Sequence, residues 1–109
     1  MCVFCKIIEG EIPSDKVYED NNFLAFRDIS PKAKVHTLVI PKKHISDLNQ
    51  IDSENISYLG KILEIGKIVA EKEGISKSGY RFVFNCGSDA GMEVEHIHLH
   101  ILGGEKLTF

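Results

Sequence analysis

The sequence predicts an α+β fold in one domain: an antiparallel sheet of about five strands with one long helix and a short N-terminal helix. Three observations carry that expectation. Five short runs rich in β-branched and aromatic residues are separated by Gly, Pro, Asn or Asp. Residues 53–73 repeat apolar side chains at helical spacing. Residues 96–102 alternate strictly between histidine and aliphatic residues before the last two, the two-residue period of a strand.

Taken in order, Phe4, Ile7 and Ile8 have helical spacing, and Gly10 supplies the stop of a short first helix. Residues 11–14 form a connector, because Pro13 disfavours helix at Ile12. Residues 16–19 and 22–27 flank Asp20-Asn21 as a hairpin. Ser30-Pro31 opens a loop, and residues 36–40 form a strand closed by Pro41. The long helix takes Asp52 as N-cap, Ile51 and Ile56 as a staple, and Gly74 as its C′ residue. Its apolar face is assigned to Ile56, Leu59, Ile62, Leu63, Val69 and Ala70, with Tyr58 and Ile65 at the margin. That face is wider than one sheet contact needs, which fits either a dimer interface or a deeply seated helix. Two more strands, 80–85 and 96–102, flank a loop with Gly87 and Gly91.

With 109 residues, 43% hydrophobic and 27% charged, the chain is sized and composed as a single globular domain spanning 1–109. Its net charge of −3 argues against a nucleic-acid partner. Small anions remain compatible, because backbone dipoles bind phosphate on acidic proteins. No apolar run approaches the ~18 residues of a membrane span, and residues 1–6 lack the pattern of a secretory signal. The expected compartment is the cytoplasm, where the three cysteines stay reduced.

On a strand His96, His98 and His100 share one face, with rings about 7 Å apart, and Ile97, Leu99 and Ile101 belong to the core. Three buried imidazoles are costly, since each must satisfy a donor and an acceptor. Such a row suits a transition-metal site. It equally suits covalent catalysis, with one neutral imidazole attacking phosphorus and a neighbour handling charge or a proton. Spacing alone does not choose. Asp28 by itself reads as a turn residue, and Phe26 and Ile29 as core.

The segment His96-Ile97-His98-Leu99-His100-Ile101-Leu102 resembles the histidine triad (HIT) pattern. Residues 24–31, 36–44, 85–91 and Gly103-Gly104 extend the resemblance, which is to the Hint, nucleotide-binding branch and covers nearly the whole chain. The resemblance implies a homodimer with two sheets joined edge to edge. It implies a purine nucleoside phosphoramidase, or a nucleotide hydrolase or nucleotidyl transferase, acting at the α-phosphate. His98 would attack phosphorus, a nucleotidyl-histidine would form, and water would release the nucleoside monophosphate. His100 would hydrogen-bond the phosphate and assist the leaving group, and His36 would orient the cluster. Asn85 and backbone N–H groups near Glu93 and Val94 would hold phosphate oxygens. Asp28 would accept from the ribose hydroxyls, with Phe4, Ile12, Phe26 and Ile29 around the base. No organic cofactor is implied. Met92 and Glu93 depart from the Gln and Ser common in Hint proteins, which bears on leaving-group preference and turnover. A nucleotide-binding regulatory module with negligible turnover is the competing expectation for the same pocket.

Cys2 and Cys5 form a C-x-x-C that alone fits a redox pair, half a zinc site or two free thiols. In HIT relatives with this pair, zinc is also held by the histidine of the Pro-Lys-x-His segment and by the first triad histidine. The resemblance therefore implies a structural zinc on Cys2, Cys5, His44 and His96. Cys86 reads as a free thiol without a partner.

Overall fold

The computed structural model describes residues 2–109. Helix α1, Val3–Ile8, is opened by Cys2, whose sulfur accepts the Cys5 N–H at 3.2 Å. Strands β1 (Lys16–Glu19), β2 (Phe23–Arg27) and β3 (Val35–Pro41) follow, then helix α2 (Ser57–Lys72), β4 (Tyr80–Val83) and β5 (Leu99–Gly103). All neighbours are antiparallel, in the order β1-β2-β3-β5-β4, so the two strands nearest the C-terminus enter beside β3 rather than extending the hairpin from β1.

Side-chain alternation divides this sheet into two unlike faces. Phe23, Ala25, Val39, Leu99 and Ile101 point to one side, where Ile62, Ile65, Val69 and Ala70 of α2 close over them. Gly66 permits the close approach: a Cβ there would lie 2.8 Å from Leu99 Cδ2 and Phe82 Cζ. Leu24, Phe26, Leu38 and Ile40 point to the other side, covered by Phe4 and Ile7 of α1. That second face is only partly roofed, and His36, His98 and His100 have the same parity as its residues. The site is thus the uncovered part of a sheet face.

Three elements differ from the sequence expectation. Regular α2 begins at Ser57, because Asp52 caps an earlier turn, its Oδ1 accepting from the N–H groups of Glu54 (2.9 Å) and Asn55 (3.1 Å). The core stripe is rotated, so that Ile65 is fully buried while Ile56 and Leu63 are 53% and 43% exposed. β5 begins at Leu99 rather than His96. Its ladder to β3 runs out at Val39, short of Pro41, which has no N–H to donate. Ile97 instead donates to the Ile45 carbonyl at 2.7 Å, beyond the strand. β4 likewise stops at Val83, releasing Asn85 from the sheet.

The C-terminal end of α2 is tied to the sheet by Glu73. Its carboxylate accepts Thr37 Oγ1–H at 3.0 Å and both Arg27 Nε–H and Nη2–H, at 3.0 and 2.9 Å. Replacing Glu73 with alanine strands the fully buried Thr37 hydroxyl, and a loss of about 2 kcal/mol in denaturant unfolding is expected. The Arg27 hydrogen bonds hold the Glu73 carboxyl below its usual range. Its contribution is therefore complete above the unfolded value, about pH 4.3, and is lost as pH falls through the folded value.

Candidate active site and metal centre

A cavity of about 500 Å³ opens on the half-covered face. It brings together Phe4, Ile12, Phe26, Asp28, Ile29, His36, Asn85, Glu93, Val94, His98 and His100, every residue that the sequence singled out for substrate or chemistry. Phe4 stands edge-on to both Phe26 and His98, with centroids 5.5 and 5.0 Å apart, so one aromatic side chain joins the apolar wall to the imidazoles. Ile29 is at the mouth, 96% exposed, rather than in the core.

Hydrogen-bond partners set the protonation of each ring. A carbonyl only accepts, so His98 donates its Nδ1–H to the His96 carbonyl, 2.6 Å away. Neutral His98 therefore keeps a bare lone pair on Nε2. The Lys32 backbone N–H only donates, and it reaches His36 Nδ1 at 3.0 Å. His36 then carries its proton on Nε2 and gives it to His100 Nδ1 at 2.9 Å. His100 is left with Nε2–H. The two neighbouring rings, with centroids 4.8 Å apart, thus carry opposite equipment: an unprotonated nitrogen on His98 and a hydrogen-bond donor on His100. Asp28 adds a carboxylate 3.5 Å from His36 Nε2 and accepts the Ser30 N–H at 2.8 Å. Among the described residues the Asn85 side-chain amide and the N–H groups of Glu93 and Val94 donate to nothing in the chain.

Burial pushes His98 and His36 below the ordinary histidine value and takes His100 down to about 4. All three are then neutral at pH 7. Unfolding restores the ordinary value near 6.5, so the stability owed to a neutral buried His100 is present above about pH 6.5 and declines toward pH 4. For any reaction that uses a neutral imidazole here, the acid limb of kcat/KM is expected below the ordinary histidine value of about 6.5. A pH profile read alongside denaturation midpoints checks both.

Beside the cavity a second cluster converges. Cys2 Sγ and Cys5 Sγ are 3.2 Å apart, and His44 Nδ1 and His96 Nδ1 are also 3.2 Å apart. The four sulfur–nitrogen separations run from 3.3 Å (Cys2 to His96) to 3.7 Å (Cys5 to His96). A tetrahedral zinc with bonds of about 2.0 Å to nitrogen and 2.3 Å to sulfur spaces its ligand atoms about 3.3–3.8 Å apart; the sulfur–nitrogen and nitrogen–nitrogen separations match this, while the two sulfurs stand closer together. His96 donates Nε2–H to the Pro41 carbonyl at 2.8 Å, which leaves the Nδ1 lone pair aimed into the cluster. The donor set is a closed Cys₂His₂ site suited to structural zinc. Asp28, His36 and His100 also lie close together, but His36 and His100 spend their facing nitrogens on each other. Nor can the three triad histidines share one metal, because His96 commits Nδ1 to the cysteines and Nε2 to Pro41.

Two backbone groups of the site gave no signal in the sequence. Lys32 acts through its backbone N–H, and any residue but proline carries one. The His96 carbonyl likewise belongs to the backbone, and its role depends on the chain leaving the strand there.

An imidazole with a bare lone pair and a donor imidazole, side by side in a largely apolar cavity, fit the class of a HIT-type hydrolase. Residues 1–107 match the family model described as "Scavenger mRNA decapping enzyme C-term binding". Over 105 residues the chain is 47% identical to the purine nucleoside phosphoramidase of Escherichia coli K12, covering 96% of this chain and 88% of that protein. It is 46% identical to a HIT-like protein of Buchnera aphidicola, covering 99% and 98% of the two chains. A HIT family hydrolase from Legionella pneumophila superimposes with TM-score 0.96 at 52% identity, over 100% and 97% of the two chains. The chain belongs to the histidine triad family.

Proposed function

We propose that the chain hydrolyses purine nucleoside phosphoramidates, with attack by His98 Nε2 on the α-phosphorus. The observation that carries this reading is the 2.6 Å bond from His98 Nδ1–H to the His96 carbonyl, which fixes the tautomer and leaves Nε2 bare at the cavity. The name of the Escherichia coli relative supports the substrate class.

In this reading the base lies against Phe4, Ile12, Phe26 and Ile29, and Asp28 accepts from the ribose hydroxyls. Asn85 and the N–H groups of Glu93 and Val94 hold phosphate oxygens. As the His98 Nε2–P bond forms, the P–N bond breaks and its electron pair leaves with the amine, which takes a proton from solvent. His100 donates Nε2–H toward the phosphate and the departing nitrogen, and His36 holds His100 in place. Water then breaks the phosphorus–histidine bond, giving the nucleoside monophosphate and returning the proton. Zinc on Cys2, Cys5, His44 and His96 contributes fold stability, and through His96 it braces the segment that holds the nucleophile. Incubation with adenosine 5′-phosphoramidate tests the reading: AMP release is expected. Tight AMP binding without release would favour the regulatory module.

A homodimer in the cytoplasm completes the reading. β4 is an edge strand carrying Tyr80, 37% exposed, and α2 presents Leu63 and Ile68 at 43% and 36%. An unpaired edge beside exposed aliphatics suits a second copy. Light scattering at micromolar concentration is expected to give twice the 12.2 kDa chain mass.

A further inference from the structure

The cavity lining includes four charged side chains besides the histidines: Arg27, Asp28, Lys32 and Glu93. Three are engaged within the chain. Arg27 bonds Asp15 and Glu73, Asp28 accepts from Ser30 and faces His36, and Lys32 Nζ donates to the Ser30 carbonyl at 3.2 Å. All three stand at the β2–β3 end. Glu93 differs on both counts: among the described residues its carboxylate has neither a hydrogen bond nor an ion pair, and it lies on the loop leading into His96. It is exposed at the cavity rim beside Gly91 and Val94.

A free carboxylate at this place is unfavourable for an anionic partner. The substrate brings a negative phosphate, and the Glu93 N–H is among the donors that the proposed reaction directs at it. The side chain of the same residue then lies within a few ångströms of whatever is attached to phosphorus. Separation of that order between unit charges changes a binding or transition-state ratio by about tenfold where solvent partly screens it. The carboxylate becomes favourable when the leaving group brings a positive charge of its own.

We propose that Glu93 is a specificity-determining residue that selects phosphoramidates whose leaving amine carries a second, cationic group and disfavours those with an anionic one. The inference rests on the reaction assigned above. It adds the chemical class of the leaving group, which neither the apolar wall nor the histidines determine.

The test uses three adenosine 5′-phosphoramidates whose amine is butane-1,4-diamine, butylamine or 4-aminobutyrate, giving cationic, neutral and anionic arms. In the unsubstituted protein kcat/KM is expected to fall in that order, with a cationic-to-anionic ratio of about tenfold or more at low salt. Raising the ionic strength to 0.5 M should compress the ratio, because the contact is solvent-exposed. Glu93→Gln should bring the ratio near unity, whatever its effect on the neutral substrate, since a ratio is insensitive to a general loss. A ratio near unity in the unsubstituted protein, or one unchanged by Glu93→Gln and by salt, overturns the inference. Failure to cleave the neutral substrate at all would overturn the reaction instead.

Discussion

His98→Ala is expected to lower AMP release from adenosine 5′-phosphoramidate by about a thousandfold or more, with AMP affinity changed far less. The size of the effect follows from what the ring supplies. Among the described residues its Nε2 is the only lone pair that the hydrogen-bond pattern leaves bare on a ring lining the cavity, because His36 and His100 each use their acceptor nitrogen inside the chain. No neighbour can take its place. His100→Ala removes a donor rather than the nucleophile, so a smaller loss of about a hundredfold is expected, falling mostly on kcat. Parallel titration with AMP separates loss of chemistry from loss of binding. Equal activity of the His98→Ala protein would remove this ring from the reaction.

The second large effect is on stability. Replacing Cys2 and Cys5 together with serine should abolish stoichiometric zinc in elemental analysis and lower the unfolding free energy by about 3 kcal/mol or more. For a chain of this size that is a drop of about 10 °C or more in Tm. The Nδ1 atoms of His44 and His96 lie 3.2 Å apart, too close for two lone pairs to face each other without a cation between them, so loss of metal favours a change of the His44 tautomer or a turn of one ring. Turning His96 also disturbs its bond to Pro41 and the carbonyl that holds His98. Activity should therefore fall in the same variant, while the His98→Ala protein keeps its zinc and its Tm. Residual activity in the metal-free variant, above the level of the His98→Ala protein, distinguishes a brace from a catalytic metal.

The sheet was legible in the sequence because burial on it follows simple alternation. Leu24 and Phe26 face one side and Phe23 and Ala25 the other, and β1, β2 and β3 fall within a residue of the expected runs, whereas β4 ends two residues early and β5 begins three residues late. Helix α2 was legible as an element but not in phase. Ile65 and Ile62 bury fully while Leu63 does not, and only the close approach at Gly66 sets that rotation. A lone glycine within an apolar stripe does not announce which face will touch the sheet. The cavity residues were legible through the family pattern, and the cysteine–histidine cluster through the same resemblance. What spacing alone could not show was the division of labour among the triad histidines, which only the family resemblance implied. Their strict alternation implies three equivalent positions on a strand, yet the ladder stops at Leu99. His96 and His98 lie outside it, where backbone carbonyls decide which nitrogen each ring presents.

The central claim is that His98 Nε2 makes a bond to phosphorus. Mixing the protein with excess adenosine 5′-phosphoramidate, quenching within milliseconds in alkali, where phosphorus–nitrogen bonds to histidine survive, and mapping the peptides by mass spectrometry tests it directly. The account predicts one adenylyl group per chain during turnover, located on His98 and absent from the His98→Ala protein. An adduct on another residue, or full turnover with no adduct at any quench time, would contradict it.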